Sequence, residues 1–132
     1  MKNLLFLILL LMVTTISFGQ EAELHINNNS DRSMEIKIMR SGYNGQSTFH
    51  SRITISPNSY GVKYFSSTGY YFLKVKASRY GRPTVFTKGD AFRVYVGTDG
   101  YDVLTISYSI QESTLNPLSG SVISQSEFEK DY

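Results

Sequence analysis

The sequence predicts an all-β chain, a single antiparallel β-sandwich of about seven to eight strands, on three observations. Apolar and polar residues alternate in segment after segment between positions 22 and 111. Clusters of Gly, Asn, Ser and Pro break these segments about every eleven residues, the interval expected of strands joined by turns. No segment before position 112 carries the 3.6-residue period of an amphipathic helix, so no helical crossover is available and the strands should pair antiparallel. A sandwich of the Ig-like, Greek-key kind suits this spacing. A small β-barrel is the alternative, because strand number alone does not separate the two.

Taken in order, each strand has an inward and an outward set, since side chains alternate across a sheet. Ala22, Leu24 and Ile26 alternate with Glu21, Glu23 and His25, and Asn27-Asn28-Asn29-Ser30 turns the chain. Met34, Ile36 and Ile38 form the next inward set, ended by Ser41-Gly42-Tyr43-Asn44-Gly45. Phe49, Ile53 and Ile55 are expected on one face of the third strand, opposite His50, Arg52 and Thr54. A fourth strand runs from Tyr60 to Phe65. In the fifth, Tyr71, Leu73, Val75 and Ala77 face inward and Tyr70, Phe72, Lys74 and Lys76 outward. Arg79-Tyr80-Gly81-Arg82-Pro83 is a loop, and Thr84 to Thr87 a short sixth strand. Phe92, Val94 and Val96 make the seventh, followed by a hairpin turn at Gly97-Thr98-Asp99-Gly100. Leu104, Ile106, Tyr108 and Ile110 form the last inward face.

The two ends differ from this middle. Residues 1–19 have the form of a secretory signal peptide: Lys2, an apolar run from Leu4 to Val13, and a small-residue exit at Ser17-Phe18-Gly19. That run is shorter than the roughly 20 residues a membrane span needs. Export to the periplasm or outside the cell is therefore expected, with no membrane span after cleavage. Residues 20–111 form the sandwich domain, and 112–132 a polar linker and short helical tail. Within the tail, Ser124 and Glu127 have capping-box spacing, which predicts a helix from about Gln125 to Lys130 docked through Phe128, Val122 and Ile123. A frayed tail is the alternative, because helices this short are marginal alone.

Composition narrows the chemistry. The 132 residues contain no Cys and two His. Disulfides, Cys-ligated metals, a thiol nucleophile and a lipid-anchored cysteine are thereby excluded. No Gly-rich phosphate loop, His-Glu-x-x-His or Gly-x-Ser-x-Gly string occurs. His25 and His50 both fall on expected polar faces. Asp99 and Asp102, with Asp90, offer too few oxygens for the six to eight that calcium takes, and a turn explains them better. Asn28-Asn29-Ser30 fits the N-glycosylation pattern. No catalytic residue, metal site or cofactor is expected.

The near-neutral total hides a segregation of charge. From Asp31 to Arg93 there are eleven basic residues against three acidic, a surplus of eight. The flanks, 20–30 and 94–132, are acidic. A basic sheet surface would attract anionic partners. Tyr70, Phe72, Lys74 and Lys76, with Arg79, Tyr80 and Arg82 in the following loop, are the expected binding residues. Aromatics would stack on sugars while the cations hold an anionic group. The competing expectation places Tyr70 and Phe72 beneath a loop or sheet edge, with the lysines keeping that edge soluble.

Thr68-Gly69-Tyr70-Tyr71-Phe72-Leu73-Lys74-Val75 resembles a strand of secreted bacterial β-sandwich modules, including carbohydrate-binding and pre-peptidase C-terminal domains. The chain departs from such modules in having no Trp. The Phe18-Gly19-Gln20 exit ahead of a small Cys-free sandwich is similar to exported proteins of Bacteroidetes-type bacteria. The functional expectation is a non-catalytic binding module for an anionic glycan or envelope component. Its alternatives are an assembly protein acting through an edge strand or the tail, and an inhibitor of an extracellular enzyme using the Tyr43 or Tyr80 loop. Nucleic acid is not an expected partner.

Overall fold

The computed structural model describes residues 20–112 and 117–132. The expected signal segment, 1–19, and residues 113–116 of the expected linker lie outside the described residues.

Two sheets face each other, and no closed barrel forms. The smaller sheet has β1 (Ala22–Asn28) in the centre, flanked by β4 (Ser59–Phe65) and β10 (Val103–Tyr108). The larger orders β11 (Ser121–Val122), β6 (Val85–Lys88), β5 (Gly69–Ser78), β2 (Ser33–Ser41) and β3 (Ser47–Ile55), with β7 (Phe92–Val94) also paired to β5. The expected alternation fills the space between them. Ala22, Leu24 and Ile26 of one sheet meet Met34, Ile36, Ile38, Leu73, Val75 and Ala77 of the other, all buried. Each of the larger side chains among these, the Val, Leu, Ile and Met residues, contributes about 1.5–3 kcal/mol on removal from water. The sheets approach closely at Gly61, where a Cβ would collide with Ile53.

Four details depart from the expected strands. The pairing of β1 with β10 is parallel, because β10 enters from the far end after the chain has crossed back from the large sheet. The expected seventh strand divides at Tyr95. Its first half, β7, stays on β5, and its second, β8 (Val96–Gly97), turns onto β9 (Gly100–Tyr101). Asp102 anchors this break: its carboxylate accepts from the Tyr95 amide at 2.9 Å and its amide donates to the Tyr95 carbonyl at 3.0 Å. The third departure is a β-bulge. Ile38 pairs with Ser51 but Met39 pairs with Phe49, so His50 is an extra residue on β3. Phe49 is thereby moved to the outward face, away from Ile53 and Ile55, and His50 stacks on the buried ring of Phe65 with centroids 5.1 Å apart. Both expected orientations are corrected by this one inserted residue.

The fourth departure concerns Asn28. It is completely buried, and its side-chain amide donates to the carbonyls of Arg32 (2.7 Å), Ser56 (3.1 Å) and Ile55 (3.3 Å). Its oxygen accepts from the Ser30 hydroxyl at 2.6 Å. A side chain so engaged is a structural hub rather than a glycan acceptor.

After Gln111 the chain returns to the large sheet. β11 pairs with β6, and the helix α1 (Gln125–Glu129) follows. Ser124 caps it, accepting from the Glu127 amide at 3.0 Å, as the capping spacing predicts. Phe128 is buried against Phe86, whereas Val122 remains exposed. Among the described residues no helix is long and apolar enough to cross a membrane.

Candidate functional site

The expected binding face on β5 is covered by the protein's own C-terminal segment. Antiparallel pairing brings Lys74 of β5 beside Lys37 of β2 and Lys88 of β6 on the outer face of the large sheet. Residues 124–132 run across this face. Lys74 is 0 % exposed, and its ammonium donates to the carbonyls of Glu127 (2.8 Å) and Lys130 (2.7 Å) beneath the Tyr132 ring. Burial pushes the Lys74 ammonium below its ordinary value. Lys37 donates to the Asp131 carboxylate at 2.8 Å and lies under Phe128. The Asp131 carbonyl accepts from the Phe49 amide at the bulge, which ties the strap to the far edge strand.

The seven expected residues are therefore dispersed. Phe72, 4 % exposed, lies under the Lys88 ammonium; like Lys74 it keeps the expected outward orientation but is withdrawn from solvent, which corrects the expectation that the pair is exposed. Lys76 is half-buried on the same face. Tyr70 is exposed at one end of β5. Arg79, Tyr80 and Arg82 sit at the other end. There Arg79 pairs with Asp31, and Arg82 pairs with Glu112 at 3.0 Å. Glu112 also holds the buried Arg32 through two bonds of 2.9 Å. These guanidinium contacts hold the Glu112 carboxyl down at about 2, the Arg32 hydrogen bond having the largest effect. Both loop arginines are thus ion-paired, with Arg32 and Arg82 sharing Glu112, and the fully exposed Tyr80 projects from the loop tip.

What stays available is gathered elsewhere. Among the described residues, and besides Lys74 with its two carbonyl partners, Arg40, Lys63, Lys76, Lys88 and Arg93 have no carboxylate partner within ion-pair distance. Arg40 and Lys63 each lie close enough to His50 for their charges to act on it, Lys63 two residues from the Phe65 ring on which His50 stacks. Arg40, on the last residues of β2, lies over the Tyr71 ring at 6.0 Å and makes a single long bond to the Thr68 carbonyl, 3.4 Å. His50 meets the same Tyr71 ring edge-on at 5.2 Å. Lys63 shares the inward side of β4, because it pairs with buried Leu24. Burial first, then the Lys63 and Arg40 charges, lower the His50 imidazole below its ordinary value. Gly69 leaves room for this arrangement, since a Cβ there would come within 3.3 Å of the Arg40 Nε.

Around the edge of β4 lies the second feature, the uncovered outer face of the small sheet. Pairing sets three rows across it: Tyr64–Glu23–Val103, Val62–His25–Thr105 and Tyr60–Asn27–Ser107. Tyr60 and Tyr64 are 72 % and 55 % exposed. Four residues of strand rise place them about 13 Å apart. The Glu23 carboxylate lies 3.6 Å from His25, and Asn27 donates to Ser107 at 3.2 Å. Sequence reasoning missed Arg40, His50, Lys63, Tyr60 and Tyr64 as a group. The Tyr60/Tyr64 spacing was visible, but which face it occupied depended on pairing with β1.

No three His, Asp or Glu residues among the described residues are placed to share a metal ion. Asp99 is instead bonded to the Tyr95 hydroxyl at 2.6 Å. Compared with known proteins, the chain matches no family model, no curated protein and no solved structure.

Proposed function

We propose that the protein is an exported, non-catalytic binding module for an anionic glycan or envelope polymer. Its contact surface is the β4 edge, where the tyrosine face and the basic rim meet. One observation carries the reading. Lys63 and Tyr64 are neighbours on opposite faces of this edge strand, so an unpaired cation cluster adjoins exposed aromatic rings. Tyrosine rings stack on sugar faces, and unpaired cations attract carboxylate, sulfate or phosphate substituents. This keeps the expected ligand class but moves its seat from β5 to β4.

Retention on an immobilised anionic polysaccharide, against a neutral one, tests the reading. Binding should weaken steeply between about 0.05 and about 0.5 M salt as the charges are screened. It should also weaken in Tyr60→Ala/Tyr64→Ala. Equal retention on the neutral polymer at all salt concentrations overturns it. An assembly role is favoured by a different observation: β4 closes its sheet with an unpaired edge, open to strand addition by a partner. Oligomers in light scattering would support that alternative. An inhibitory role would use the fully exposed Tyr43 or Tyr80 at its loop tip, and deleting that tip would remove the inhibition.

A further inference from the structure

We propose that Arg40, His50 and Lys63 form a site for one oxyanion, the carboxylate, sulfate or phosphate group of a ligand, at the open rim between β3 and β4. The proposal deepens the binding-module reading and rests on it only for the origin of the anion.

Three elements bring basic side chains to one place. Arg40 comes from the end of β2, His50 from the bulge of β3, and Lys63 from the inward face of β4. Their floor is aromatic: His50 stacks on Phe65 at 5.1 Å and meets Tyr71 edge-on at 5.2 Å, and Arg40 covers the Tyr71 face. None of the three is within ion-pair distance of a described carboxylate. This contrasts with the other end of the sandwich, where Arg32, Arg79 and Arg82 all have acidic partners. Arg40 offers five N–H donors and uses one, in a long bond to the Thr68 carbonyl. The His50 Nδ1 faces the Ser51 hydroxyl at 2.9 Å, and in the imidazolium both ring nitrogens donate, so Nε2 can then bond an anion. Unpaired like charges held together repel one another, and a bound oxyanion relieves that repulsion while accepting charge-assisted bonds.

The groups facing His50 are Arg40, Lys63, Tyr71, Phe65 and Ser51. By reciprocity of linkage, an anion that binds beside it must raise the pH at which His50 takes up its proton. The test is an NMR titration of the full protein with sodium sulfate, phosphate and acetate, with chloride at matched ionic strength as the reference. Saturable shifts of His50 and Thr68 are expected with an oxyanion, accompanied by an upward move of the His50 titration. Arg40→Gln or Lys63→Gln should weaken sulfate binding about tenfold, the loss of one charged hydrogen bond. Lys88→Gln, away from the rim, should leave it unchanged.

Shifts no greater than those from chloride overturn the proposal. So does a Lys63→Gln variant that oligomerises while its His50 titration ignores sulfate. Lys63 would then be an inward charge guarding an edge strand. Saturable sulfate binding without polysaccharide retention would sustain the site and remove the glycan reading.

Discussion

The ammonium of Lys74 is held 2.7 Å from the carbonyl oxygen of Lys130, a contact between mid-chain and the final turn of the protein. A charged side chain expected to face solvent thus becomes the fastening point of the C-terminal strap. Lys74→Ala removes both the donor and the packed stem. It should cost about 2–3 kcal/mol, measured by denaturant unfolding. Amide exchange should rise first in residues 125–132, because the strap is the segment that loses its anchor.

Phe128 fastens the same strap by packing rather than charge. It is buried, with its ring 5.5 Å from Phe86 and the Lys37 ammonium over it. Phe128→Ala should destabilise by about 3 kcal/mol if the strap unfolds with the sheets. If the strap detaches separately, the main unfolding midpoint will move little while the Lys37 and Lys74 side chains become reactive to amine reagents.

Asn28 joins three backbone carbonyls at the far end of the sandwich. Asn28→Ala leaves those carbonyls without their donor in a buried site. A loss of about 3 kcal/mol in thermal or denaturant unfolding is expected. Asn28→Asp should be no better tolerated, since a carboxylate presents acceptors to acceptors.

Acid should loosen the Arg32–Glu112–Arg82 cluster. The Glu112 carboxyl is held down at about 2 by the Arg32 hydrogen bond above all. A carboxyl depressed on folding stabilises fully above its ordinary unfolded value, and that contribution is lost as pH falls towards the folded value. Unfolding midpoints should therefore fall from about pH 4.5 towards pH 2. Glu112→Gln should flatten part of that slope.

Alkali acts through Tyr108, whose phenol burial pushes up to about 12. A phenol that ionises less readily when folded stabilises below its ordinary pKa, and that contribution is lost as pH rises towards 12. Tyr108→Phe should remove this part of the alkaline destabilisation. Ultraviolet difference titration should show one tyrosine fewer ionising late.

The inward sets Ala22-Leu24-Ile26, Met34-Ile36-Ile38 and Leu73-Val75-Ala77 were legible because each strand must present one apolar face to a core. The helix cap at Ser124 was legible for a similar local reason: its hydroxyl and the Glu127 amide lie three residues apart. His50 was not legible. A bulge depends on the mismatch between two strands, and nothing in β3 alone declares it. The candidate site was barely legible, since Arg40, His50 and Lys63 lie on three strands.

By itself, the sequence determined the β class, the inward residues and the concentration of basic charge in the middle of the chain. These follow from period, turn chemistry and composition, which act over a few residues. Tertiary structure decided which charges remain free. Phe72 and Lys74 alternate outward as expected, yet both are buried, Phe72 under the Lys88 ammonium and Lys74 under a strap more than fifty positions later. Arg79 and Arg82 are basic, yet Asp31 and Glu112 reach them across the fold. Exposure and ion pairing depend on what packs against a side chain, and that partner is set by chain topology rather than by its neighbours in sequence.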